Sequence, residues 1–224
     1  GVSVAIAVFC FVAYPRFHGS TPQNTKFLMR KRYWLYYLLQ FMAGARRQIF
    51  IVFAAFMMVE RFGFQVHEVT ALFLINYIAN MFLGPIIGGV VGRFGERNAL
   101  VFEYIGLVAI FLTYGGIYIF DWGVMLAAAL YVLDHMFFGL SIAQKTYFQK
   151  IADPADIRPT AAVAFTINHI GAVVLPAVLG YLWLVSPASV FGVAAFIALI
   201  SLCLSLCIPR NPTQRYETIF SKFN

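Results

Sequence analysis

Arg46 and Arg47 stand side by side in a run that is otherwise mostly apolar, and they offer the most chemistry in this chain. A guanidinium is permanently charged, and its planar fork of donors matches a carboxylate or phosphate through two parallel bonds. Gln40 and Gln48 lie in the same run. At about 100° per residue, Arg47 returns to within roughly 20° of Gln40, whereas Gln48 stands roughly 80° away and Arg46 points elsewhere. Arg47 with Gln40 is therefore the better candidate for meeting an anionic solute, with Arg46 second. A second centre, Asp134 and His135, pairs a carboxylate with an imidazole in apolar surroundings, where either could carry a proton; Ser141 and Gln144 follow on the same run. Asn76 and Asn80 share one face of another run, and Thr166, Asn168 and His169 mark a further one. These residues give two candidate sets. Arg47, Arg46, Gln40 and Asn80 would bind solute, and Asp134, His135 and His169 would couple protons.

Each candidate also has a plainer reading. Arg46 or Arg47 could pair with Asp134 purely to hold the helices together, since breaking a buried pair costs about 3 to 5 kcal/mol whatever its role. His135 and His169 could be packing residues, and His67 belongs to a solvated loop. Two adjacent cations against one central acid leave an excess of positive charge that an organic anion would balance, unless carboxylates elsewhere already do so. Cys10, Cys203 and Cys207 lie in apolar runs without histidine or carboxylate neighbours, so they read as small packing residues and no metal is expected. The sequence has no phosphate-binding glycine loop of the ATPase type and implies no cofactor. A membrane enzyme would need its histidines and carboxylates clustered at one interface depth. Asp134, His135 and His169 fall near the middle of their runs instead, so an enzyme is not expected.

Runs of this kind must be membrane spans. With 62% hydrophobic and 11% charged residues and a mean hydropathy of +0.81, the chain could not cover a water-facing surface with polar groups. About 20 residues cross a hydrocarbon core of about 30 Å. Six full spans are expected near 34–59, 67–91, 98–120, 124–145, 159–184 and 187–208. Their continuous apolar character, without alternation, predicts helices and not a barrel. Residues 1–14 are apolar, begin without methionine and lack a basic n-region, and so read as the end of a preceding transmembrane helix.

Basic residues divide sharply along this pattern. Arg16, Lys26, Arg30, Lys31, Arg32, Arg93, Arg97, Lys145, Lys150, Arg158, Arg210, Arg215 and Lys222 fall on one side, thirteen of the sixteen lysines and arginines. Arg61 alone falls on the other, and Arg46 and Arg47 lie inside a span. The bias predicts a cytoplasmic loop over 15–33, a six-helix transmembrane half over 34–208 and a cytoplasmic tail over 209–224. It also accounts for the net charge of +7 without nucleic acid as a partner. Tyr33, Trp34, Trp122 and Trp183 stand near span ends, where aromatic belts form.

Between the second and third spans the chain reads Gly88-Gly89-Val90-Val91-Gly92-Arg93-Phe94-Gly95-Glu96-Arg97. Such a glycine-rich basic turn must reverse the chain within a few residues. It resembles the signature loop of the major facilitator superfamily, roughly G-x-x-x-D-R-x-G-R-R. Gly88, Arg93, Gly95 and Arg97 keep the pattern, while Gly92 replaces the acid and Glu96 the first basic residue of the closing pair. The resemblance implies a gating role for Gly88, Arg93, Gly95 and Arg97. It further implies the C-terminal half of a twelve-helix fold, an N-terminal six-helix half as partner, and a plasma membrane such as the bacterial inner membrane. In that family the first and fourth helices of each half line the cavity, the second and fifth flank it, and the third and sixth face lipid. The polar residues here follow that order, because the third span offers only Glu103 near its end, Thr113 and tyrosines, and the sixth only serines and cysteines.

Gly84, Gly88 and Gly92, four residues apart, are expected to form a ridge for close helix packing. Pro85 and Pro176 should kink their helices. The expected function is secondary active transport of a small solute by alternating access, proton-linked and directed to an organic anion. The alternatives are a multidrug or metabolite exporter with structural arginines, and a non-transporting membrane subunit.

Overall fold

A computed structural model describes residues 2–13 and 29–223; Arg16 and Lys26 of the expected loop lie outside them, as does the side chain of Lys222. Among the described residues six helices are long and apolar enough to cross a membrane: Lys31–Phe62, Val66–Phe94, Glu96–Phe120, Val124–Ile151, Pro154–Val185 and Pro187–Leu206. They are called the first to sixth spans below. A shorter apolar helix, Val2–Ala13, precedes them. The described residues contain no strand, and the protein is an all-α integral membrane bundle.

Local chemistry accounts for the ends of these helices. The first span stops at Gly63, whose φ of 70° lets its N–H turn back to the carbonyls of Met58 and Val59. The second begins with a reciprocal cap in which the Gln65 side chain serves the Glu68 N–H and the Glu68 carboxylate accepts from the Gln65 N–H at 2.8 Å. It runs through Pro85 as far as Phe94, beyond its expected end at 91. The whole reversal into the third span then rests on Gly95, at φ 81° and ψ 159°, a conformation reserved for glycine. Pro187 sits in the first turn of the sixth span, where its missing N–H costs nothing, and Ser186 caps that turn.

Two spans are not regular. The first contains a π-helical turn, Phe50–Ala54, directly after Arg46 and Arg47. The fourth breaks into Val124–Gly139 and Ile142–Ile151, with a turn at Leu140 and Ser141. Irregular backbone at this depth is tolerated where it lines a polar space and not lipid.

Packing pairs the first span closely with the fifth and the third with the sixth, while the second rests on the fourth. Gly44 and Gly171 make the first contact possible. A Cβ on Gly44 would collide with the Asn168 carbonyl, and one on Gly171 would come within 2.7 Å of the Phe41 carbonyl. The ridge of Gly84, Gly88 and Gly92 corrects the sequence expectation, because nothing lies within 4 Å of a Cβ built at any of them. The second span is mostly exposed, and its glycines meet no other helix among the described residues. Gly44→Ala should therefore lower the thermal midpoint in detergent, at an overpacking cost of about 1 to 3 kcal/mol. Gly84→Ala should leave it unchanged or raise it slightly, and equal effects at the two sites would contradict this packing.

One end of the bundle is tied by charges. Arg30 bonds Asp156, which also accepts from the Tyr33 hydroxyl, and Arg32 reaches Asp153 at 2.9 Å and Glu217 at 3.8 Å. The tail folds back here, with the Tyr147 hydroxyl donating to the Glu217 carbonyl at 2.6 Å. At the other end Arg61 meets Asp121, and the Trp183 indole donates to Glu60. Tyr33 and Trp183, expected in interfacial belts, are buried, and each donates to a carboxylate that satisfies its polar atom.

Candidate functional site

Two adjoining cavities flank the contact between the first and fourth spans. The larger, about 680 Å³, is walled by Arg46, Arg47 and Phe50 of the first span, Tyr77 and Asn80 of the second, and Asp134 and His135 of the fourth. The other, about 560 Å³, lies between the first, fourth and fifth spans and includes Gln40, Gln144, Asn168 and His169. Arg47, Phe138, Ser141 and Lys145 border both.

Arg46 turns inward, 2% exposed, and its Nη1 lies 2.8 Å from Oε1 of Glu103, whose side chain is fully buried. The contact is charge to charge, since neither Nη atom of Arg46 nor either carboxylate oxygen of Glu103 makes a well-aligned hydrogen bond. Its centre is 5.4 Å from the Tyr104 ring and 5.8 Å from that of Phe138. Asp134 is 3% exposed, lies within electrostatic reach of both Arg46 and Glu103, and leaves Oδ1 without a hydrogen bond. This corrects two sequence expectations. The close acid of Arg46 is Glu103, not Asp134, and the third span is not inert. Nor do two cations face a single acid, since Glu103 supplies a second.

Arg47 faces the space between the spans. Its Nη2 donates to Oδ1 of Asn168 at 3.2 Å, and the Asn168 amide donates in turn to the Gln40 carbonyl at 2.9 Å. The Gln40 amide donates to Oε1 of Gln144, and Nε2 of Gln144 donates in turn to the Tyr104 hydroxyl. Arg47 and Gln40 thus border one cavity, and through Tyr104 the chain of amides ends against the buried Arg46. Asn80 borders the larger cavity, while Asn76, one turn earlier, is buried with both amide atoms unpartnered. His135 is set among aromatic rings, 6.0 Å from Phe50 and 5.8 Å from Tyr77. His169 borders the smaller cavity, its Nδ1 at 2.8 Å from the Phe165 carbonyl of its own helix.

The glycine-rich turn lies apart from these cavities. Gly95 makes the reversal, Arg93 and Gly88 are exposed, and Arg97 is half-buried. Glu96, the departure from the signature, is the buried member and takes Lys150 of the fourth span at 2.6 Å.

Sequence reasoning missed Glu103, Tyr104 and Lys145 as parts of this region. Lys145 carried a readable signal: Asp134, Phe138, Ser141 and Lys145 are spaced four, three and four apart, which is one helical stripe. Its charge alone places it with the cytoplasmic basic residues, and its side chain borders both cavities. Glu103 carried no such signal, because its partner is 57 positions away. Among the described residues no group of three or more histidines, cysteines and carboxylates could hold a metal ion. Compared with protein-family models, curated proteins and solved structures, the chain matches none of them.

Proposed function

We propose that this chain is a six-helix half of a secondary active transporter of the major facilitator type, moving a small organic anion by alternating access in step with protons. The observation that carries the reading is the ionisable group Arg46, Glu103 and Asp134, buried in the bundle, of which Arg46 and Asp134 border a cavity of about 680 Å³. Ionisable side chains within a membrane are costly, and there they commonly mark a solute or proton path. Asp134 has the unpartnered oxygen a proton carrier needs, and Arg47 has no carboxylate within 4.0 Å among the described residues. A second six-helix bundle opposite the cavities would complete the alternating pathway.

The test is uptake of 14C-labelled organic anions, cations and neutral solutes by proteoliposomes with an imposed pH gradient. Anion accumulation above equilibration that collapses with a protonophore is expected. Gradient-independent or cation-only uptake would reject the coupling or the cargo class, and no uptake of any probe would favour a non-transporting subunit.

A further inference from the structure

Glu103 changes which cations are free. Arg46 is held by its own buried acid, which leaves Arg47 and Lys145 as the cations of the cavities without a carboxylate within 4.0 Å among the described residues. They project from different spans, yet both border both cavities at the place where these meet. Ser141, one helical turn before Lys145 and at the turn that breaks the fourth span, borders both cavities too, with a hydroxyl able to donate. Phe138 also borders both cavities, and the larger one continues into a wall of Phe50, Phe73 and Tyr77. Two cations bordering the same pair of cavities, with aromatic faces in the larger one, are complementary to a solute with a charged head and a flat apolar body.

We propose that the junction of the two cavities is an anion site in which Arg47 and Lys145 hold the carboxylate or similar group of an aromatic monoanion, its ring lying against Phe138 and the aromatic wall. The inference deepens the transport reading and rests on it for the cargo, but the site's charge can be measured without transport. Lys145 is a specificity-determining residue, and Arg47 adds the planar fork, already steadied by Asn168. Arg46 has no part in holding the anion. A short carboxylate would gain the charges and lose the wall, and an aromatic cation would gain the wall and meet the charges as repulsion.

The test places a reporter in the cavities that the two cations border. Ser141→Cys is made on a background of Cys10→Ala, Cys203→Ala and Cys207→Ala, and the purified protein is treated with an anionic (sulfonatoethyl) or a cationic (trimethylammonioethyl) methanethiosulfonate. The anionic reagent should react about tenfold faster, as expected in a cleft of one charge sign. Lys145→Gln should remove most of that preference, and Lys145→Arg should restore it. 2-Naphthoate should protect the thiol at concentrations where acetate and naphthylmethylammonium do not. Equal rates for the two reagents, a preference unchanged by Lys145→Gln, or protection by the aromatic cation would overturn the site. Lys145 is exposed, so these variants should fold, and monodispersity on gel filtration checks this. Failure of gradient-driven uptake with this labelling pattern intact would count against the transporter alone, whereas uptake without the pattern would count against the site alone.

Discussion

The double variant Glu103→Gln with Asp134→Asn should fail to accumulate as folded protein, and adding Arg46→Gln should restore it. Arg46 is 2% exposed, and these are the two acids within its electrostatic reach, Glu103 at 2.8 Å and Asp134 further away. An arginine cannot shed its proton to escape burial, so removing both acids leaves an uncompensated charge inside the bundle. Breaking such a pair costs about 3 to 5 kcal/mol, enough to exhaust much of a typical stability, while replacing the whole set by neutral groups is often tolerated. Glu103→Gln alone should cost less, because Asp134 remains to take the guanidinium. Expression as a fluorescent fusion, followed by thermal unfolding in detergent, reads all four proteins. A double variant as stable as the parent, or a triple variant no better than the double, would show that the charges do not hold one another.

Asp134→Asn should separate coupling from binding. If Asp134 carries the proton, the variant should lose gradient-driven accumulation of anion, leaving only equilibration, while exchange of labelled for unlabelled anion stays within about twofold of the parent. The groups facing Asp134 set the sign of its pH response. They share its cavity or act on it electrostatically: Arg46 and Arg47 from the first span, Tyr77 from the second, Glu103 and Tyr114 from the third, and Tyr131, His135 and Lys145 from its own span. Taking up a proton at Asp134 makes this surrounding charge one unit more positive, so an anion at Arg47 and Lys145 should bind more tightly as pH falls. By reciprocity, anion binding should draw in the proton, which is the logic of symport. 2-Naphthoate affinity should rise on acidification in the parent and be flat in Asp134→Asn. A variant that still concentrates anion under a pH gradient would remove Asp134 from the coupling step.

Asp134 and Arg47 also show what could be read from order alone. Periodicity placed Arg47 and Gln40 on one face, and they border one cavity; the spacing of Asp134, Phe138, Ser141 and Lys145 could have revealed the stripe on the fourth span in the same way. Such features are local, because 3.6 residues per turn fixes which side chains share a face before any helix meets another. What a face will meet is a different matter. Gly84, Gly88 and Gly92 have the spacing of a packing ridge and pack against nothing among the described residues, while Gly44 and Gly171 carry no such pattern and lie at the tightest helix contact.

By itself, the sequence determined that this is a bundle of membrane helices, how many full spans it has, and where they turn. Without water in the bilayer each apolar run must satisfy its own backbone, so about 20 such residues become a helix wherever they lie in the fold, and Gly95 could adopt a reversal closed to other residues. Only the tertiary structure decided that Arg46 belongs to Glu103, that Lys145 borders the cavities, and that Tyr33 and Trp183 turn inward toward carboxylates. The three pairings join residues 57 to 123 positions apart, and they depend on how each helix is rotated about its axis. That rotation is set by packing against the other helices, so no local pattern of charge or hydropathy encodes it.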